Sequence, residues 1–516
     1  MAALVRARAS QWPLLASALA LLAAPPPVPA SPPAAPGNIS GLAPPSEPLK
    51  APLPPRREAG EASRAGDASF VLLGGTAFVM GTFYMVNSPD APVVTNTWAM
   101  LNTAISIFCA VLTNDLVDWL IMCMFVFPAD GEGVAPGTAS IVSSGVQMVV
   151  WWYVVVILLF FTRDSPLRSK GYGTVGGHIM GFAALSLYGK LAMSDPFRSS
   201  PAMIALVFPI AAVTMGLLFI SSRLVSRVFH YTGLVDEAGD ARWHDQCLDT
   251  GNDFFALCLG FLITMVTRYS ITGYVPSIDG RLGGGSELER HGLFHQRRAG
   301  AQQLALSGVG CMVVGGVIAS VMRRFDSGDG QEGSAAARML QFALSVIEDA
   351  AAFCLLFANM WHTGNLVKQE VMAHVYIALE FSVLAAALIG LVSAFPRCTI
   401  LFRFAFGALS LMVGFSWEKT FDCAADDVGE LALFGAAADR SVSQAAFRLA
   451  LLLIVFPAWM VFILPKTDPE LAKETVHRGV AAMCCTGSDS DTEEDNWELS
   501  EDDKTRVLVC HGAKGQ

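Results

Sequence analysis

Glu348 and Asp349 stand side by side near the middle of an apolar stretch, 338–360, long enough to cross a bilayer as a helix. A carboxylate at the centre of a membrane helix costs about 2.5–3.5 kcal/mol on insertion scales, so it requires a proton, a partner or water. Asp115 in the stretch 98–127 poses the same problem, with Asp118 about one turn on. So do Asp253 in 249–268, with Asp249 at its mouth, and Glu380 in 371–394. Basic partners at comparable depth are scarce. Lys190 sits near a span end and can snorkel, and Arg268 closes the outer end of its span, where an external partner is expected. Carboxyls left without cations bind protons or metal cations, and several of them at depth suit a permeation path or proton relay.

Spacing refines the picture. Asp249, Asp253, Gly260, Thr264 and Thr267 draw one polar-to-small stripe at helical intervals, and Gln341, Ser345, Glu348, Ala352 and Asn359 draw another. Two such stripes face to face would form a hydrophilic seam. The plainer alternative is hydrogen bonding between helices, worth about 0.6–2 kcal/mol per contact. His178 and His374 add two imidazoles that titrate close to physiological pH. His374 follows Glu370 by one helical turn. His178 lies within Gly173-x₃-Gly177-x₃-Gly181, a spacing that lets another helix approach closely.

These residues must be carried by membrane helices. The chain is 53% hydrophobic and 15% charged, well below the roughly one quarter charged of soluble domains. Apolar stretches recur at 68–86, 98–127, 141–161, 173–193, 201–221, 249–268, 302–321, 338–360, 371–394, 401–417 and 443–464. Each fits a hydrocarbon core about 30 Å thick at 1.5 Å per residue. The fold expected is an all-α polytopic bundle of about eleven spans over 68–465, with the lipid bilayer as its partner. The second span is overlong and is expected to tilt or break near Asn114. Arg223–Tyr231, polar and apolar by turns, is expected to lie along the interface.

Residues 1–30 read as a signal peptide: Arg6 and Arg8 precede the apolar run Trp12–Ala24, and Val28-Pro29-Ala30 precedes a cleavage point. Residues 31–67 form a Pro/Ala-rich external segment expected to be disordered, with a glycosylation sequon at Asn38. An organelle transit peptide is the competing reading. With the amino terminus outside, the odd connections fall in the cytoplasm, and these hold the larger share of Lys and Arg, including Arg163, Arg168, Lys170, Arg323 and Arg324. The localisation expected is the plasma membrane or another membrane of the secretory pathway, with an organelle membrane as alternative.

The tail, 466–516, is acidic and cytoplasmic in this reading, and most of the net charge of −11 sits there. Asp468-Pro469-Glu470 starts a short helix. Cys484 and Cys485 are candidates for palmitoylation, and Ser488, Ser490 and Thr492, each followed three residues later by an acid, for phosphorylation.

Ile204-Ala205-Leu206-Val207-Phe208 resembles Ile377-Ala378-Leu379-Glu380-Phe381, and Phe182-Ala183-Ala184-Leu185-Ser186 resembles Phe342-Ala343-Leu344-Ser345. The order suggests two parallel four-span repeats, 141–268 and 302–417, although Phe406–Ser410 repeats the second string out of register. No Lys/Arg cluster points to nucleic acid, no cysteine or histidine spacing points to a metal, and no motif implies a cofactor or catalytic nucleophile. The function expected is a transporter or channel for a cation or proton. A receptor-like or scaffolding protein, or an intramembrane enzyme using the same carboxylates, stand as alternatives.

Overall fold

A computed structural model describes residues 57–124, 137–231, 237–273, 277–280, 294–326, 335–364, 366–367, 370–394, 399–430 and 440–467. The signal peptide, Asn38 and the tail with Cys484, Cys485, Ser488, Ser490 and Thr492 lie outside them. All secondary structure among these residues is helical, in eleven long helices. They are α1 (Arg57–Val86), α2 (Ala91–Met124), α3 (Thr138–Thr162), α4 (Pro166–Met193), α5 (Val207–Tyr231, after a short turn of helix Pro201–Ala205), α6 (Glu237–Thr272), α7 (Phe294–Asp326), α8 (Ala335–Thr363), α9 (Glu370–Ala394), α10 (Thr399–Glu430) and α11 (Arg440–Ala458, continuing as a π-helical turn Trp459–Ile463).

Two sequence expectations change. α2 runs unbroken past Asn114, whose side chain accepts from Gln147 of α3 and so needs no helix break. Arg223–Tyr231 is the end of α5 rather than a separate element. α1 begins at Arg57, ahead of the first apolar stretch, in a run that follows Pro54-Pro55 and carries good helix formers such as Glu58, Ala59, Glu61 and Ala62.

The even-numbered helices pack in a closed ring, α2 on α4, α4 on α6, α6 on α8, α8 on α10 and α10 back on α2. They run parallel. Gly173, Gly177 and Gly181 of α4 lie against Gln246, Thr250 and Leu257 of α6 in ascending order. Gly260 and Arg268 of α6 lie against Asp349 and Phe357 of α8, and Glu348 and Phe353 of α8 against Gly407 and Phe415 of α10. Parallel neighbours follow from topology, since helices two apart in a chain that crosses a membrane repeatedly share a direction. Small residues permit the close approach, because helix association in lipid gains from packing rather than from the hydrophobic effect.

The odd-numbered helices form an outer layer: α3 packs on α4, α7 on α8, α9 on α10, α1 on α9, and α11 on α2 and α10. They carry most of the exposed large apolar side chains, such as Leu72, Phe161, Leu217, Val313, Leu384 and Ile454, whereas α4 and α6 expose none. Among the described residues, nine helical segments are long and apolar enough to span a membrane, α4 and α10 not being among them. Both belong to the ring, where glycines on α4 and charged groups on α10 meet protein instead of lipid. α3 packs on both α4 and α6, and α7 packs on both α8 and α10, the same arrangement in the two segments read as repeats.

Candidate functional site

Four phenylalanines meet inside the ring. Phe353 of α8 lies 5.5 Å from Phe261 of α6 and 5.1 Å from Phe415 of α10, and Phe182 of α4 lies 5.5 Å from Phe415. α4 and α10 are not neighbours in the ring, so the Phe182–Phe415 contact reaches across its interior. Phe261, Phe353 and Phe415 are buried. Together these rings form an apolar layer between α4, α6, α8 and α10.

The acidic residues lie one to two turns earlier on the same helices. Asp253 precedes Phe261 on α6, and Glu348 and Asp349 precede Phe353 on α8, so in a parallel ring they share one side of the aromatic layer. A Cβ built on Gly177 of α4 would lie 3.5 Å from Asp253 Cβ. Asp253 acts electrostatically on both Glu348 and Asp349. The carboxylate of Glu348 rests directly over Gly407 of α10, where any side chain would collide with it. Residues from α4, α6, α8 and α10 thus adjoin one acidic cluster, hereafter the recess. Its walls stay accessible: Asp249 and Asp253 are exposed, and Glu348, Asp349 and His178 are half-buried. The nearest cation in electrostatic reach of Asp249 and Asp253 is Lys170, an exposed residue two turns before Gly177. His178 adjoins Gly177, and its Nδ1 is buried with no hydrogen-bond partner.

The α6 stripe does face α8, but it meets residues outside the stripe expected there. Gly260 touches the Asp349–Ala350 backbone, and the Thr264 hydroxyl lies 3.4 Å from the Ala350 carbonyl and 3.5 Å from Cys354 Sγ. Glu348 instead turns to α10. Asn359 turns to α9, where it donates to Glu380 at 3.0 Å while its own carbonyl oxygen accepts from Thr363 at 3.1 Å. Glu380 is therefore a helix-pairing residue of α8 and α9, apart from the recess. His374, half-buried on α9, is apart from it as well.

Asp115 and Asp118 belong elsewhere. Asp115 pairs with Arg448 of α11 at 3.6 Å, and Arg448 also bonds Asp422 of α10. Lys419 lies 3.7 Å from Glu418 and 3.8 Å from Asp422. Basic partners at this depth are thus present, contrary to the sequence expectation. Arg448 was concealed because it starts the last span, far along the chain from Asp115. Glu418, buried in the turn after Phe415, was missed because it lies just past the end of an apolar stretch. Asp118 joins a polar chain with Asn114 and Gln147, and Lys190 reaches Ser144 at 2.9 Å nearby.

Arg268 lies within electrostatic reach of Asp279, in the segment that follows α6. It is fully buried, 4.5 Å over the Phe357 ring, and donates to the Ser277 carbonyl at 2.9 Å. Trp361 donates to the Gly280 carbonyl at 2.9 Å, and Gly280, at φ +82°, lies against Phe357 where a Cβ has no room. The segment Ser277–Gly280 is thereby pinned over the C-terminal ends of α6 and α8. Among the described residues, no group of three or more His, Cys, Asp or Glu side chains could hold a metal ion.

The fold and its apolar outer layer define a multi-pass α-helical membrane protein. No protein-family model matches the chain, and no curated protein and no solved structure matches it.

Proposed function

We propose that the chain is a transporter for a proton or small cation, with Asp253, Glu348 and Asp349 as its binding carboxyls and Phe182, Phe261, Phe353 and Phe415 as the seal that closes the path beyond them. What supports this reading is the cluster of exposed and half-buried acidic side chains inside a ring of parallel helices, next to a layer of packed aromatic rings. A purely structural bundle would hold such carboxyls in separate pairs, as Glu380 is held by Asn359. Three of them within mutual electrostatic reach remain stable in a bilayer when protonated or wet, and both conditions supply exchangeable protons.

Under the orientation that loop charge and the amino-terminal segment favour, the recess opens to the cytoplasm and the pinned segment Ser277–Gly280 lies outside. Flux of protons and alkali cations into liposomes bearing the purified protein is the direct test. Glu348→Gln keeps the shape over Gly407 and removes the charge, so a folded Glu348→Gln protein is expected to lose flux at least tenfold. Parent-like flux, or none in the parent under any cation gradient, refutes the proposal.

A further inference from the structure

Glu418 presents a separate problem on the far side of the aromatic layer. It is 3% exposed, its Oε1 has no hydrogen-bond partner, and its Oε2 faces Lys419 Nζ at 3.7 Å, beyond hydrogen-bond distance. An ionised carboxylate so buried and so poorly bonded is costly. The charged groups that act on it are Lys419 and Asp422 of its own helix, Asp115 of α2 and Arg448 of α11. Arg448 is shared between Asp115 and Asp422, and Lys419, 38% exposed at the rim, lies between Glu418 and Asp422. Among the described residues, Asp115, Glu418 and Asp422 stand against Lys419 and Arg448, and Asp279 also acts on Lys419, so carboxyls outnumber cations. Neutrality in a low-dielectric setting therefore calls for more positive charge, and Glu418 is the carboxyl that neither cation holds closely.

The surroundings say which charge fits. Glu418 lines a cavity of about 10 Å³ with Asp115, Asp422 and Arg448, beside the apolar side chains of Phe108, Phe421 and Leu451. That is room for about one water molecule. A metal cation would need several oxygen ligands, and no three acidic or histidine side chains among the described residues are disposed to give them. We infer that Glu418 is a proton-binding site, a neutral carboxyl at neutral pH whose proton exchanges through the one-water cavity beside Asp115. The site is independent of the recess and does not rest on the transport reading.

The test is infrared spectroscopy of the purified full-length protein in lipid, comparing the protonated-carboxyl C=O band in H₂O and D₂O at pH 7. The parent is expected to show a deuterium-sensitive band with a component that is lost in Glu418→Gln and retained in Glu348→Gln. Should Glu418→Gln not fold, ¹³C-glutamate labelling of parent and Glu418→Asp replaces it, with the glutamate band expected to lose one component in Glu418→Asp. A band unchanged by substitution at 418 overturns the inference. So does bleaching of that band by added sodium at constant pH, which would make the occupant a metal cation. Because Glu348→Gln serves as the comparison, failure here is distinguishable from failure of the recess proposal.

Discussion

Gly260→Ala tests the contact that builds the recess. Gly260 of α6 is seated on the backbone of α8, and an added Cβ would fall 2.6 Å from Asp349 Cβ, 2.8 Å from Ala350 N and 3.0 Å from the Asp349 carbonyl carbon. Carbon atoms pack best at about 3.5–4.0 Å, so the two helices would have to part by roughly 1 Å. Backbone atoms cannot swing aside as a long side chain would. Overpacking of this kind costs about 1–3 kcal/mol. Gly310→Ala on α7 is the control, since a Cβ there meets nothing within 4 Å. It retains the gain in helix propensity, up to about 1 kcal/mol. That gain is common to both variants and cancels, so they should differ by about 1–3 kcal/mol in denaturant unfolding of protein in detergent, with Gly260→Ala the weaker. The displaced Asp349 should also lower cation flux in liposomes. Equal stability of the two variants would refute the placement of α6 on Asp349–Ala350, and with it the geometry of the recess.

Three further outcomes follow from the same structure. Phe415→Ala removes the ring shared by Phe182 and Phe353, so passive cation leak through liposomes should rise while Phe421→Ala, on a face bearing Phe108, leaves it unchanged. Arg448→Met leaves Asp115 and Asp422 without their shared cation and should destabilise the protein by about 2 kcal/mol in thermal unfolding, with partial rescue by adding Asp115→Asn. A tag after Gln516 should be protected on intact cells, and Asn38→Gln should lower the apparent mass by one glycan.

Much of the architecture was legible in the residues alone. Eleven helices fall where eleven apolar stretches lie, because a bilayer imposes one length and one composition on whatever crosses it. The glycine spacing of α4 announced a close neighbour, and α6 is that neighbour at Gly173, Gly177 and Gly181. The acidic residues at depth were equally visible, since a charge within an apolar run is conspicuous in any sequence. Their grouping was not. Hydropathy gives depth along a helix, whereas rotation about its axis and choice of neighbour depend on which faces interlock. Only the packed structure separates Asp253, Glu348 and Asp349, gathered in the recess, from Asp115, neutralised by Arg448 more than three hundred residues away, and from Glu380, tied to Asn359. The tertiary structure also decided that α4, with its glycines, and α10, with Glu418 and Lys419, lie in the inner ring. There helix-to-helix contact replaces the hydrocarbon that their glycines and charges would not tolerate.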